Sequence, residues 1–308
     1  MIVMRLADRL RTTALLCLVA PLLAGCGADA GDSGKPSVVA SFYPLQYVAE
    51  RVAGDHAEVT NLTSPGAEPH DLELSVQQSA EVSDADLAVY ESGLQPAVDE
   101  AIEQNGPDRV LDVTGPADLE PVEHPEDETD EAHEHGDEDP HFWLDPVRLG
   151  EVAAAVEKEL SVVDPDHAAA YRANLADLRA DLSDLDEEFR NGLATCAVDT
   201  VVVSHDAFGY LSKYGLRFEA INGLSPDAEP SPAHIAELHD LIESDGITTV
   251  FSETLASSQL SESIAGDLGI ETAELDPIEG LGDETADEDY LSLMRGNLAA
   301  LQEANQCQ

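Results

Sequence analysis

The chain has 308 residues and 43% hydrophobic content, long enough for two lobes of ordinary size and apolar enough for packed cores. Its formal net charge of −50 sets 64 acids against 14 lysines and arginines, with lysine only at Lys35, Lys158 and Lys213. That balance excludes a general nucleic-acid binder, which needs a basic footprint, and leaves an acidic surface that concentrates cations to a degree set by salt.

Residues 1–25 read as a lipoprotein signal peptide. Arg5, Arg9 and Arg11 form a basic start, Thr13 to Leu23 a short apolar core, and Leu23-Ala24-Gly25-Cys26 closes it. The apolar run is too short for a spanning helix. A small-residue site ending in cysteine has the form of a bacterial lipobox. Cleavage before Cys26 and lipidation of its thiol are therefore expected, against an ordinary signal peptide with a chance cysteine. Lipid chains would hold the protein outside the cytoplasm at the cell membrane, across a tether at 26–36.

Residues 37–145 alternate short strands and helices. Strands are expected at Val38–Phe42, Val59–Leu62, Leu87–Tyr90 and Val110–Val113, with helices at Pro44–Val52, Ser75–Ser83 and Leu94–Gln104. The alternation predicts a mostly parallel sheet flanked by helices, the first lobe. Residues 117–139 break the pattern with prolines, many acids and His124, His133 and His135. No apolar period exists there, so a mobile acidic loop is expected.

Residues 146–192 read as linking helices. Pro146–Leu160 is the first. After Asp164-Pro165, an N-cap and first-turn proline, Tyr171, Leu175, Leu178, Leu182, Leu185, Phe189 and Leu193 recur at steps of four and three. This stripe predicts a helix ending near Gly192 and roughly 40 Å long, enough to run along a two-lobed molecule. Residues 193–308 then repeat the alternation as a second α/β lobe. Its strands are Thr200–Ser204, Arg217–Ile221, Thr248–Ser252 and Thr272–Leu275. Its helices are Ala207–Tyr214, Pro232–Ser244, Ser257–Leu268 and Tyr290–Ala304.

Beyond Cys26, the cysteines are Cys196 and Cys307. In an exported domain they are a disulfide candidate, with two unpaired thiols as the alternative. Closure would restrict the unfolded chain by roughly 4–5 kcal/mol in the chain-entropy account.

Four candidate ligands stand after strand ends or in rigid turns. His70 follows the turn after the second strand, and His141 sits in the Pro-bracketed aromatic stretch that follows the acidic loop. His205 directly follows Val201-Val202-Val203-Ser204, and Asp276 follows the strand ending at Leu275. Ligands of open parallel sheets bind beyond the carboxyl ends of strands, so the four can converge in an interlobe cleft. Three imidazoles and a carboxylate suit zinc; copper and nickel also accept such ligands.

The chain resembles the metal-ion class of solute-binding proteins of ABC importers, its zinc-uptake branch in particular. The likeness covers about residues 37–305. It rests on Ser41-Phe42-Tyr43-Pro44, Pro65-Gly66-Ala67-Glu68-Pro69-His70-Asp71-Leu72-Glu73, Asp139-Pro140-His141-Phe142-Trp143-Leu144-Asp145-Pro146, Ser204-His205-Asp206-Ala207-Phe208-Gly209-Tyr210 and Leu275-Asp276-Pro277. The resemblance implies two lobes joined by one long backbone helix, and Zn2+ bound by His70, His141, His205 and Asp276. Mn2+ or another divalent transition metal is the alternative, and manganese-type relatives often carry Glu where this chain has His205. It further implies a high-affinity receptor, monomeric and not an enzyme, that delivers the ion to a membrane permease. A histidine-rich loop is typical of the zinc branch; here the loop holds three histidines among many more acids.

Glu68 either approaches the ion or plays a supporting or solvent-facing part. Glu253 either orients a ligand or caps the next helix. The loop histidines either bind metal transiently or are solvated. Two rival functions stand beside the receptor. A zinc hydrolase needs an open metal position and a base, and the chain lacks a His-Glu-x-x-His helix. An adhesin, a role credited to some relatives, needs an exposed apolar or basic patch that this acidic sequence does not advertise.

Overall fold

Short β-branched runs place the two sheets. In the computed structural model, which describes residues 34–121 and 138–308, the first sheet holds β1 (Ser37–Ala40), β2 (Glu58–Asn61), β3 (Leu87–Tyr90) and β4 (Val110–Asp112). All pairings are parallel, in the order β2-β1-β3-β4. The apolar, buried β1 and β3 lie inside the sheet, and the more exposed β2 and β4 form its edges. Helices α1 (Tyr43–Ala53), α2 (Val76–Asp84), α3 (Pro96–Asn105) and the short α4 (Thr114–Ala117) complete this lobe. A two-stranded antiparallel ribbon, β5 (Glu120–Pro121) with β6 (Glu138–Asp139), brackets the acidic segment read as patternless. Its interior, with His124, His133 and His135, lies outside the described residues, as does Cys26.

Two helices follow, α5 (Pro146–Val163) and α6 (Ala168–Gly192). Asp145 caps α5 by accepting from the Val147 N–H at 2.8 Å, and Pro146 opens its first turn. The 25 residues of α6 give a length of about 37 Å. Its buried stripe, Tyr171, Leu178, Leu182, Leu185 and Phe189, packs on α1 and α5 and on the closing helix α9 (Tyr290–Ala304).

The second sheet holds β7 (Thr200–Val203), β8 (Arg217–Ala220), β9 (Thr249–Ser252) and β10 (Glu271–Glu274), all parallel, in the order β10-β9-β7-β8. Read from its other edge, this is the order of the first sheet. Helices α7 (Pro232–Asp245) and α8 (Gln259–Leu268) connect its strands. The segment Ala207–Tyr214, expected to be an α-helix, instead forms a 3-10 turn at Gly209–Tyr214. It begins at Gly209, where a Cβ would meet the Asp139 carboxylate at 2.9 Å, and stops at Gly215 with φ of 97°.

One hydrophobic core runs through both lobes, from Val38, Phe42 and Leu87 through Trp143 and Leu182 to Val201, Phe251, Leu275 and Tyr290. Smaller clusters lie on the outer faces. Cys196 and Cys307 are joined in a disulfide, and the tail is also held by hydrogen bonds. Asn305 accepts from the Ala197 and Val198 N–H groups and donates from its side chain to the Val198 and Thr200 carbonyls. Among the described residues no helix is long and apolar enough to cross a membrane.

Candidate metal centre

In both sheets, whose strands are all parallel, the winding order reverses at the centre. In the second sheet, the chain leaves β7 towards one edge while β9 lies on the other side. The crevice beyond the strand ends at such a point is where ligands sit. Continuing the Val202–Val250 register sets His205 opposite Glu253. The Glu253 carboxylate accepts from His205 Nδ1 at 2.6 Å, from the His205 N–H at 3.2 Å and from the Ser204 hydroxyl. Glu253 therefore orients the imidazole and leaves Nε2 pointing away from it. The cap of α8 falls instead at Ser258.

His141 is fixed in the same manner. Asp139 Oδ1 accepts from its Nδ1 at 2.8 Å and from its N–H at 3.0 Å. The next three residues, Phe142, Trp143 and Leu144, form a 3-10 turn whose side chains are fully buried. Trp143 Nε1–H donates to the Pro277 carbonyl at 2.7 Å, and Tyr290 donates to the Trp143 carbonyl at 2.6 Å. The His141 turn is thus tied to the turn after β10.

His70 arrives on the loop after β2. The Gly66 N–H donates to the Leu281 carbonyl at 2.8 Å, and Gln95 donates to the Pro69 carbonyl at 3.2 Å. The first bond lays the His70 loop against Leu281, and the second ties it to the start of α3. The carboxylate that joins the three histidines, just before Leu281, is Glu279.

The Nε2 atoms of His70, His141 and His205 each lie 3.4 Å from Glu279 Oε1. All four atoms are buried and have no hydrogen-bond partner among the described residues. Four ligands at ~2.0–2.1 Å around one tetrahedral ion stand about 3.3 Å apart, so the spacing fits zinc. Burial and the close partners of opposite charge oppose each other in the titration. Burial lowers His70. Burial would also lower His141 and His205, but Asp139 and Glu279 carry the first to about 9, and Glu253 and Glu279 carry the second to about 10. Burial would raise Glu279, but the three imidazoles hold it well below the usual carboxylate range.

Asp276, the carboxylate expected from the sequence, is not among the four. Its Oδ1 accepts from the Ile278 N–H at 2.7 Å, and Asn297 brackets its backbone through bonds to its N–H and carbonyl. Asp276 shapes the turn; Glu279, three residues on, uses it. Ile278 takes a left-handed φ of 60°, unusual for a β-branched residue, and this reverses the chain between them. The signal for Glu279 was a second acid beyond Pro277, just before a glycine. Glu68 lies beside the cluster: burial first, then the Glu279 carboxylate, push it up to about 8, while it accepts from the Asp71 N–H at 3.3 Å.

An imidazole held by a carboxylate is a better and better-aimed ligand. Glu253→Gln is expected to weaken zinc binding about 10–100-fold with the fold retained, as read by chelator competition and circular dichroism. Unchanged affinity would reduce Glu253 to a bystander.

The family of the zinc-uptake complex component A, periplasmic, matches residues 38–304. The zinc-binding lipoprotein AdcA of Streptococcus pneumoniae is 35% identical over 299 residues, covering 94% of this chain and 60% of AdcA. The chain thus spans about three-fifths of that relative's length. The Zn(II)-bound ZnuA-like domain of Streptococcus pneumoniae AdcA superposes with a TM-score of 0.73 at 34% identity, covering 88% of this chain and 99% of that domain. The laminin-binding protein Lmb of Streptococcus agalactiae, described as bifunctional with adhesin and metal-transporting activity, superposes at 0.78 and 31% identity, covering 88% and 99%.

Proposed function

Because the chain belongs to the family of the zinc-uptake complex component A, we propose that it is an extracytoplasmic zinc receptor that hands its ion to the permease of an ABC importer. His70, His141, His205 and Glu279 are its ligands. The observation that carries this reading is the convergence of four buried ligand atoms, unpartnered among the described residues, within 4.8 Å of one another, three of the spacings being 3.4 Å. Four protein ligands leave no position for an attacking water, which supports capture and release over hydrolysis. In this reading residues 1–25 are a signal peptide, Cys26 carries the lipid, and 26–36 is a tether. Residues 37–145 and 193–308 are the lobes, linked by 146–192, and the receptor is a monomer.

The test is metal content by native mass spectrometry, with chelator competition for zinc, manganese and copper. One tightly held zinc per chain is expected. Sub-stoichiometric zinc, or tighter manganese, would overturn the assignment. Laminin binding by metal-loaded and metal-stripped protein tests whether the likeness to Lmb extends to adhesion.

Zinc must displace protons. An imidazole ligates only when neutral, and His141 and His205 hold their protons up to about 9 and 10. Affinity therefore rises with pH through the neutral range, by roughly tenfold per pH unit for each proton released. Calorimetry in buffers of different ionisation enthalpy should count about two protons released per zinc near neutral pH. A count of zero would show that the site binds with its imidazoles already neutral.

A further inference from the structure

The two sheets share one strand order, so positions at their switch points correspond. Continuing the Ala40–Val89 register sets Phe42 opposite Glu91, as His205 stands opposite Glu253. Ser41 then corresponds to Ser204. In the second lobe, Ser204 and His205 both donate to Glu253. In the first, the imidazole's place is taken by the buried ring of Phe42, which has no donor. Glu91 is 1% exposed, and among the described residues neither of its carboxylate oxygens has a hydrogen-bond partner, nor has the buried Ser41 hydroxyl.

Glu91 borders a cavity of about 70 Å³ that is also lined by His70, Ser92, Leu94, Glu138 and Pro140. A water occupies roughly 30 Å³, so the cavity has room for a partly hydrated ion. One wall is a histidine of the four-residue centre; two carboxylates stand on the others. A buried carboxylate with no donor is costly unless a cation or a proton meets it. Burial, followed by the charges of Asp139, Asp112 and Asp99, holds the Glu91 carboxyl well above its usual range, so an arriving cation exchanges with a proton there.

We infer that Glu91 is a ligand of a second, weaker divalent-cation position beside the zinc centre, through which the ion passes on its way in and out. The inference rests on the receptor reading. Oxygen ligands and retained water make this position loose, as transit requires, while the nitrogen-rich centre next to it is tight.

A station on the path lowers the barrier in both directions and leaves the equilibrium unchanged. Full-length protein and its Glu91→Gln variant should be compared by stopped flow with a zinc-chelating dye, following uptake and release of Zn2+. In the variant both rates are expected to fall about tenfold, with Kd within twofold of the wild type. Glu91→Asp, which keeps a carboxylate, should recover part of each rate. Unchanged rates would overturn the inference and leave Glu91 a protonated spacer. A lower association rate with a matching rise in Kd would also overturn it, since that is the mark of lost long-range attraction. A change in Kd through release alone would assign Glu91 to support of His70. A Glu91→Gln protein that loses its melting transition would move the comparison to Glu91→Met, which also lacks the carboxylate and where unchanged rates overturn the inference equally. Failure of the wild type itself to hold zinc would sink the receptor reading instead.

Discussion

Replacing Glu279 with alanine is expected to raise the zinc dissociation constant by about a hundredfold or more. Structural zinc sites with four ligands are worth ~10–16 kcal/mol, so one ligand carries on the order of 3 kcal/mol. Glu279 is also the only carboxylate in the cluster, and its Oε1 stands at the same 3.4 Å from all three imidazoles. Removing it leaves three neutral donors and no countercharge. Asp276→Asn is the matched comparison. It keeps an oxygen to accept from the Ile278 N–H, and so keeps the turn that aims Glu279. Its affinity is expected to stay within about threefold of the wild type, since one neutral hydrogen bond replaces a charge-assisted one. Chelator competition on both variants settles the assignment. If Asp276→Asn proves the damaging change and Glu279→Ala the silent one, the ligand set is wrong.

Trp143→Ala is expected to cost about 3–5 kcal/mol of stability, the usual toll for deleting a fully buried large aromatic side chain. The ring is 0% exposed and meets Phe42 edge-on, with ring centroids 4.9 Å apart. For a unit of this size each kcal/mol moves the melting temperature by roughly 2–4 °C, so a fall of about 10 °C should appear in calorimetry. Zinc affinity should fall with it, because the indole N–H is the strut between the His141 turn and Pro277. Trp143→Phe separates the two effects. It retains most of the packing and loses the bond, for about 1 kcal/mol. A Trp143→Ala protein with wild-type melting and wild-type affinity would remove the indole from both roles.

The strands were legible because each lobe places its β-branched runs in the sheet interior: Ser37–Ala40 and Thr200–Val203 stand inside their sheets. The long helix was legible from its stripe of Tyr171, Leu178, Leu182, Leu185 and Phe189. The three histidines were legible because each follows a strand end or sits in a proline-bracketed turn. The carboxylate that completes the cluster was not. Sequence pattern places residues relative to the strand they leave, and Asp276 is the first acid after β10. What promotes Glu279 is a left-handed Ile278, a conformation no local signal announces for that residue. The role of Glu253 was open for a similar reason, since choosing between cap and orienter depends on a cross-strand neighbour 48 residues away. The 3-10 turn at Gly209–Tyr214 carried an apolar pattern that suits an α-helix equally well.

The continuous core has a mechanical consequence for release. Phe42 and Leu87 from one lobe, and Val201, Phe251 and Leu275 from the other, belong to a single buried assembly with Trp143 and Tyr290 between them. Swinging the lobes apart like a clamshell would tear that assembly open and wet it, at ~25 cal/mol for every Å² of apolar surface exposed. The cheaper motion is in the loop that carries His70, which the Gly66–Leu281 bond joins to the segment after Glu279. In the receptor reading proposed above, unloading is then a matter of prising up a latch on a rigid body.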